Sequence, residues 1–220
     1  MKLTIVAATG ATGRHVLEQA LAAGHEVTAV VRSPEKLPSG VLAVKADMSA
    51  PDVGALEAAV AGADAVVSAL GATGKADAGV ATAGTNGIIA AMRVAGTGRL
   101  VVLSAAPIGT VRTAVRPDKP RYDPGEGLFM RPLTALVKRA LAEHYADLAS
   151  MEDAVRDSHL AWTIVRPPRL TDVPAKGVWR SVFDANPKGA WTLGRADLAA
   201  MMLGAASDAA LVDRVVGVSY

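Results

Sequence analysis

Short apolar runs recur along the chain, each closed by glycine, proline or a small polar residue. Residues 3–8 form the first run, and its length suits a strand buried on both faces. Helical spacing takes over at 13–23, where Val16, Leu17, Ala20 and Leu21 share a face and Gly24 stands as the C-terminal stop. The alternation then continues. Strands are predicted at 26–31, 41–46, 64–69 and 99–103, and helices at 52–61 and 80–95, with a helical turn opened by Ser33 and Pro34. A glycine-rich loop spans 71–79. Each connection between strands has room for a crossover or a turn, so the expected sheet is mostly parallel, with right-handed connections.

The pattern loosens beyond Pro107. Residues 109–131 are rich in proline, glycine and charge and read as a long loop over one end of the sheet. Mostly helical spacing covers 133–158, divisible into two pieces, and a sixth strand over 161–165 is stopped by Pro167 and Pro168. An irregular stretch at 169–194, a helix over 195–206 and a last strand over 214–218 complete the chain. No internal repeat or linker divides it. The expected fold is α/β, a doubly wound, mostly parallel sheet with helices on both faces. It forms one domain over 1–220, with a small substrate-side region made by about 107–145 and 167–194.

Apolar residues make up 51% of the chain and charged residues 20%, but aromatics only 4%. The core must therefore be built from Ala, Val and Leu, which suits a buried parallel sheet under alanine-rich helices. The net charge of +2 comes from scattered cations. The clustered cations that a phosphate backbone requires are missing, so no nucleic-acid partner is expected. Cysteine is absent, which excludes disulfides, thiolate metal sites, iron–sulfur clusters and a cysteine nucleophile. No His-x-x-x-His and no carboxylate cluster suggests another metal site. The first apolar stretch is too short for a signal peptide, and no run approaches the ~20 residues of a spanning helix. The expectation is a cytoplasmic protein with no membrane partner, monomeric or homodimeric.

Ala7-Ala8-Thr9-Gly10-Ala11-Thr12-Gly13 joins the first strand to the first helix. Free amides at a helix start suit an anion such as a dinucleotide pyrophosphate. Glycine is needed where backbone approaches phosphate and where the helix packs on the strand. Gly10 and Gly13 stand at those two positions, and Arg14 adds a charge in the first turn. The second strand ends in Val31-Arg32-Ser33, in place of the carboxylate that would bind a ribose 2′-hydroxyl. Arg32 can stack on adenine or fork onto a 2′-phosphate, Ser33 can donate to the same phosphate, and Lys36 lies one turn further. NADP(H) is therefore expected over NAD(H).

Asp47, followed by Met48, can accept from the adenine amine or cap the turn before Pro51. Ala69, Leu70 and Gly71 close the fourth strand, facing the pyrophosphate and nicotinamide ribose. Gly71-Ala72-Thr73-Gly74-Lys75 is not a P-loop, because Ala69 stands at the first glycine position and Ala76 replaces the hydroxyl after the lysine.

The glycine loop, Val30-Val31-Arg32, Ala69-Leu70-Gly71 and Trp162-Thr163-Ile164-Val165-Arg166-Pro167-Pro168 occur in one order. Together they resemble the atypical short-chain dehydrogenase/reductase superfamily. Within it the chain is most similar to the NAD(P)H-binding group that includes flavin reductase of the biliverdin-IX-beta reductase type and NmrA-like proteins. The resemblance covers nearly the whole chain and is weakest over 109–145. It implies a Rossmann fold with the nicotinamide at the carboxyl ends of the strands. It also implies that Thr9, Gly10, Ala11, Thr12, Gly13 and Arg14 hold the pyrophosphate, that Arg32, Ser33 and Lys36 hold the 2′-phosphate, and that Asp47 and Met48 flank adenine. Leu70 and Gly71 would line the ribose, and Ser104, Pro167 and Pro168 the nicotinamide. There are two departures. The group's first glycine is Ala7 here, and its Ser/Thr pair after the fifth strand is reduced to Ser104, followed by Ala105 and Ala106.

Ordinary short-chain reductases protonate a carbonyl oxygen with Tyr, helped by Lys four residues later. Tyr122 has Glu126 at that spacing, Tyr145 has Ala149, and Tyr220 ends the chain. What remains is hydride transfer from NADPH to a small-molecule electron acceptor that takes its proton from solvent, such as a flavin, a quinone or a tetrapyrrole. Ser104 is the candidate catalytic residue, orienting nicotinamide or substrate. His144 and Tyr145 are the nearest polar candidates on the long helix, with His144 read as a surface residue. Arg166 and Arg169 can face an anionic substrate, and Arg166 can equally pair with a helix carboxylate. Trp179 and Trp191 can line an aromatic-acceptor pocket or sit in the core, and the core is the preferred reading. The competing readings are an NADP(H)-sensing regulator of NmrA-like type and a nucleotide-sugar epimerase-like enzyme. The missing tyrosine–lysine pair disfavours the second.

Overall fold

The computed structural model describes residues 1–72, 74–127 and 131–220, without the side chain of Lys75. Thr73, in the loop expected over 71–79, and residues 128–130, in the loop expected over 109–131, lie outside the described residues. β1 (Lys2–Val6) buries Leu3, Ile5 and Val6, and α1 (Gly13–Ala22) lays Val16, Leu17 and Ala20 against the sheet. β2 (Glu26–Val31), a 3-10 turn at Pro34–Lys36 and β3 (Leu42–Lys45) follow. The Asp52 carboxylate then caps α2 (Val53–Val60), accepting from the amides of Gly54 and Ala55 at 2.9 and 3.4 Å. β4 (Ala65–Ser68) is buried at every position, as a strand covered on both faces should be. It leads through a 3-10 turn at Lys75–Asp77 to α3 (Val80–Ala95) and β5 (Arg99–Leu103).

The second half runs through α4 (Arg131–Ala140), α5 (Ala142–Arg156), β6 (Ala161–Arg166), β7 (Arg169–Thr171), β8 (Arg180–Phe183), β9 (Thr192–Gly194), α6 (Arg195–Ser207) and β10 (Arg214–Ser219). Among the described residues the main sheet has eight strands in the order β3-β2-β1-β4-β5-β6-β10-β8. Every pair is parallel except β10 with the edge strand β8. Successive residues of one strand feed opposite cores. Val66 and Leu100 face the layer of α2, α3 and α5, whereas Val67 and Val101 face α1 and α6. This is the doubly wound Rossmann-type architecture expected. Strand order reverses between β1 and β4, and the crevice beyond their carboxyl ends is where such sheets take ligands.

Two stretches differ from expectation. The irregular 169–194 contains β7, β8 and β9. β8 is exposed at all four positions, so it shows no hydrophobic alternation, and its ladder with β10 is what makes it a strand. β7 and β9 are three residues each and pair only with one another. The loop expected from 109 begins as a 3-10 turn, Ala106–Thr110, and is tied at both ends. Thr113 donates to Asp153 on α5 and Arg116 to Asp157 just past its end, and Asn186 donates to Asp123 at 2.8 Å.

Candidate functional site

The chain leaves β1 through Ala7, whose amide donates to the Val30 carbonyl at 2.9 Å, and Gly10 donates back to the Ala7 carbonyl at 2.8 Å. A Cβ on Gly13 would stand 2.0 Å from that carbonyl oxygen, so α1 can start here only with glycine. Ala7 itself sits at φ +59°, in the left-handed region where glycine is at ease and an L side chain costs roughly 1–2 kcal/mol. The departure from the resembled pattern thus falls on a backbone position that explains why the pattern has glycine. Among the described residues the amides of Ala11 and Thr12 have no protein acceptor, and both residues line a cavity of about 360 Å³ at the β1/β4 crevice.

Most of the expected cofactor residues meet on that cavity's wall. Thr9, Gly10, Ala11 and Thr12 after β1, Arg32, Ser33 and Lys36 after β2, Asp47 and Met48 after β3, and Ala69, Leu70 and Gly71 after β4 all line it. The Arg32 guanidinium donates to Asp77 at 3.0 Å. Asp47 accepts from the amide and the hydroxyl of Ser49, at 3.0 and 2.7 Å, and these two bonds hold its carboxyl below the usual range. Of the two readings of Asp47, turn capping is realised, with the residue still on the cavity wall. α3 sets the position of the opposite wall. A Cβ on Gly84 would stand 2.4 Å from the Leu70 side chain and 3.1 Å from Met48, so a glycine there lets the helix close on both.

Four expected cofactor residues lie elsewhere. Gly13 is buried beneath the loop as the helix seat, and Arg14 is exposed outside the cavity. Pro167 and Pro168 line a second, larger cavity of about 480 Å³. Its walls also carry Ala105, Ala106 and Pro107 after β5, Leu133, Val137 and Lys138 of α4, Tyr145 of α5, and Asn186 and Trp191. Lys138 donates to the Thr110 hydroxyl, and desolvation pulls its pKa below the ordinary lysine value. Burial pushes the Tyr145 phenol up.

Ser104, the candidate catalytic residue, turns inward. Its hydroxyl donates to Glu152 at 2.6 Å inside the protein, and the residue is on the wall of neither cavity. Arg166 donates through Nε to the same carboxylate oxygen at 2.7 Å and through Nη2 to the other oxygen. Arg166 therefore pairs with a helix carboxylate, and Ser104 belongs to the clamp that joins β5, β6 and α5. Trp191, expected in the core, is 57% exposed on the wall of the larger cavity. Trp179 is half-buried against the α1/α6 core, and His144 is half-buried with its ring 5.9 Å from that of Tyr145.

A family model described as NAD(P)H-binding matches residues 7–209. The chain belongs to this NAD(P)H-binding family. The match opens on Ala7, the first residue of the glycine loop. Three solved structures share the fold of this NAD(P)H-binding chain. The oxidoreductase ylbE from Lactococcus lactis is 21% identical with a TM-score of 0.79, covering 100% of this chain and 90% of that one. ChuY from Escherichia coli O157:H7, named an anaerobillin reductase, is 22% identical with a TM-score of 0.77, covering 100% and 97%. A short-chain dehydrogenases/reductase from Veillonella parvula DSM 2008, in complex with NADP, is 17% identical with a TM-score of 0.78, covering 100% and 94%. At these identities the likeness is one of fold. The uncharacterized protein Rv2047c of Mycobacterium tuberculosis is 34% identical over 106 residues, 48% of this chain and 12% of that protein. The chain thus spans only a small part of the length of the curated relatives it matches.

Asp77, Leu170 and Arg195 join the cofactor-side wall without having been singled out in the sequence. Asp77 lies in a loop read only for its glycines, Leu170 lies inside the stretch read as irregular, and Arg195 directly follows it. Glu152 gave no local signal, because its partner Ser104 is 48 residues away.

Proposed function

We propose that this NAD(P)H-binding chain is an NADPH-dependent reductase that passes a hydride to a flavin, a quinone or a similar flat acceptor, as a cytoplasmic monomer or homodimer. The observation that carries the reading is that consecutive residues of one stretch line the two cavities. Pro167, Pro168 and Arg169 are on the wall of the larger, and Leu170 is on the wall of the smaller.

The smaller cavity fits a dinucleotide. It offers the unfilled amides of Ala11 and Thr12, the side-chain-free Gly10, and the cations Arg32 and Lys36 at one end. In this reading the Thr9–Thr12 backbone holds the pyrophosphate. Arg32, Ser33 and Lys36 hold the 2′-phosphate, Asp47 and Met48 flank adenine, and Ala69, Leu70 and Gly71 line the ribose. When bound, NADPH supplies the hydride. The chain's own residues position the acceptor and keep water from its face. Ala105, Ala106, Pro107, Pro168 and Trp191 present an apolar wall to a flat ring. The phenol of Tyr145 stays protonated because burial raises its pKa, so it can donate a hydrogen bond to an acceptor oxygen. Solvent provides the proton that balances hydride transfer. The names of ChuY, a reductase, and of the Veillonella protein, in complex with NADP, support the same reading.

The test mixes pure protein with NADPH and FMN or menadione and follows the absorbance of the reduced cofactor. Catalytic loss of that absorbance is expected. Tight NADP(H) binding with no turnover on any flat acceptor would overturn the reductase in favour of an NADP(H)-sensing regulator.

A further inference from the structure

We infer that Asp77 is a cofactor-specificity residue that narrows the preference of the smaller cavity for NADP(H) over NAD(H); the inference rests on reading that cavity as the dinucleotide site. Arg32 stands at the tip of β2, beside Ser33 and Lys36. Its Nη1 donates to Asp77 Oδ1 at 3.0 Å, across from β2 to the 3-10 turn ahead of α3. The two partners differ in setting. The Asp77 side chain is 15% exposed and that of Arg32 61%, so the carboxylate is tucked in while the guanidinium opens to solvent. The turn is itself tied, with the Asp77 amide donating to the Gly74 carbonyl at 3.1 Å. Arg32, Lys36, Asp47 and Asp77 all line the cavity, and the charges of Arg32 and Asp77 both act on the Asp47 carboxyl.

A phosphate monoester carries about −1.5 to −2 charge near neutral pH and binds best to an unencumbered guanidinium fork. Here one donor of the fork already holds an anion, and that anion stays beside any phosphate bound to the others. A ribose 2′-hydroxyl carries no charge, meets no repulsion and can donate to a carboxylate. Asp77 therefore opposes the extra phosphate of NADP(H) and spares NAD(H). It supplies from the loop after β4 the acidic group that the tip of β2 lacks.

The test is Asp77→Asn, which keeps the shape and removes the charge, with Asp77→Ser as a second variant and the melting temperature of each as a check of folding. Dissociation constants for NADP+ and NAD+ are measured by calorimetry. The NADP+ constant is expected to fall about five- to tenfold, of the order of one close like-charge contact, while that for NAD+ holds or rises. A ratio of the two constants that does not move, or moves toward NAD+, overturns the inference and leaves the cavity's assignment intact. Wild-type protein that takes up neither nucleotide overturns both.

Discussion

The smaller cavity is walled largely by residues that follow the strand ends, whereas the larger is walled by residues brought from distant parts of the chain. Ala7, Thr9 to Thr12, Arg32, Asp47 and Ala69 to Gly71 follow from β1, β2, β3 and β4, so a sheet in register puts them together. The larger cavity draws on the segment after β5, the Asp123 loop, α4, Tyr145, Pro167, Pro168 and the Asn186–Trp191 segment. Those parts meet through tertiary bonds such as Asp123 with Asn186 and Thr110 with Lys138. A site made of strand ends binds what every member of a fold can bind. A site made of loops can be rebuilt without disturbing the sheet, which is where substrate choice is expected to lie.

Substitutions can break or sharpen this contrast. The largest effect is expected from Glu152→Gln, which leaves Arg166 buried without its counter-charge. It should destabilise the protein by about 3–5 kcal/mol and loosen both cavities, because the clamp joins the β5 and β6 ends behind them. Chemical denaturation reads this. Gly13→Ala comes next. Its new methyl meets the Ala7 carbonyl, so a loss of about 3 kcal/mol is expected, together with lost nucleotide binding. Trp191→Ala should leave nucleotide affinity unchanged and lower kcat/KM for a flat acceptor about fivefold, by removing one aromatic wall. An equal loss of nucleotide affinity would show that the two cavities are not separable. The smallest effect is a gain. Ala7→Gly should raise stability by up to about 1 kcal/mol, relief of the left-handed backbone being partly offset by the freer unfolded chain.

The same contrast explains what could be read from the chain alone. The strand–glycine–helix succession at Ala7–Gly13 is local, and Thr9 to Thr12 line the smaller cavity. Asp47 had two local readings, and Ser49, two residues on, decides between them. The Ser104–Glu152 bond was not legible, because a strand-end hydroxyl does not reveal a carboxylate on a helix far along the chain. Trp191 had two readings, core or pocket wall, and the chain alone favours core because an apolar residue in an irregular segment gives no sign of the cavity beside it. β8 escaped notice because an edge strand exposed on both faces carries no period. Gly84 is invisible as a site residue until Leu70 and Met48 are seen against it.

The central claim is that the amides after β1 and the guanidinium at the tip of β2 grip one nucleotide. Calorimetric titration of NADP+ into wild-type protein and into Arg32→Glu tests it most directly. One nucleotide per wild-type chain is expected, with affinity about a hundredfold weaker in the variant, or roughly 2.7 kcal/mol. No heat of binding at millimolar NADP+, or equal affinity in the two proteins, would contradict it.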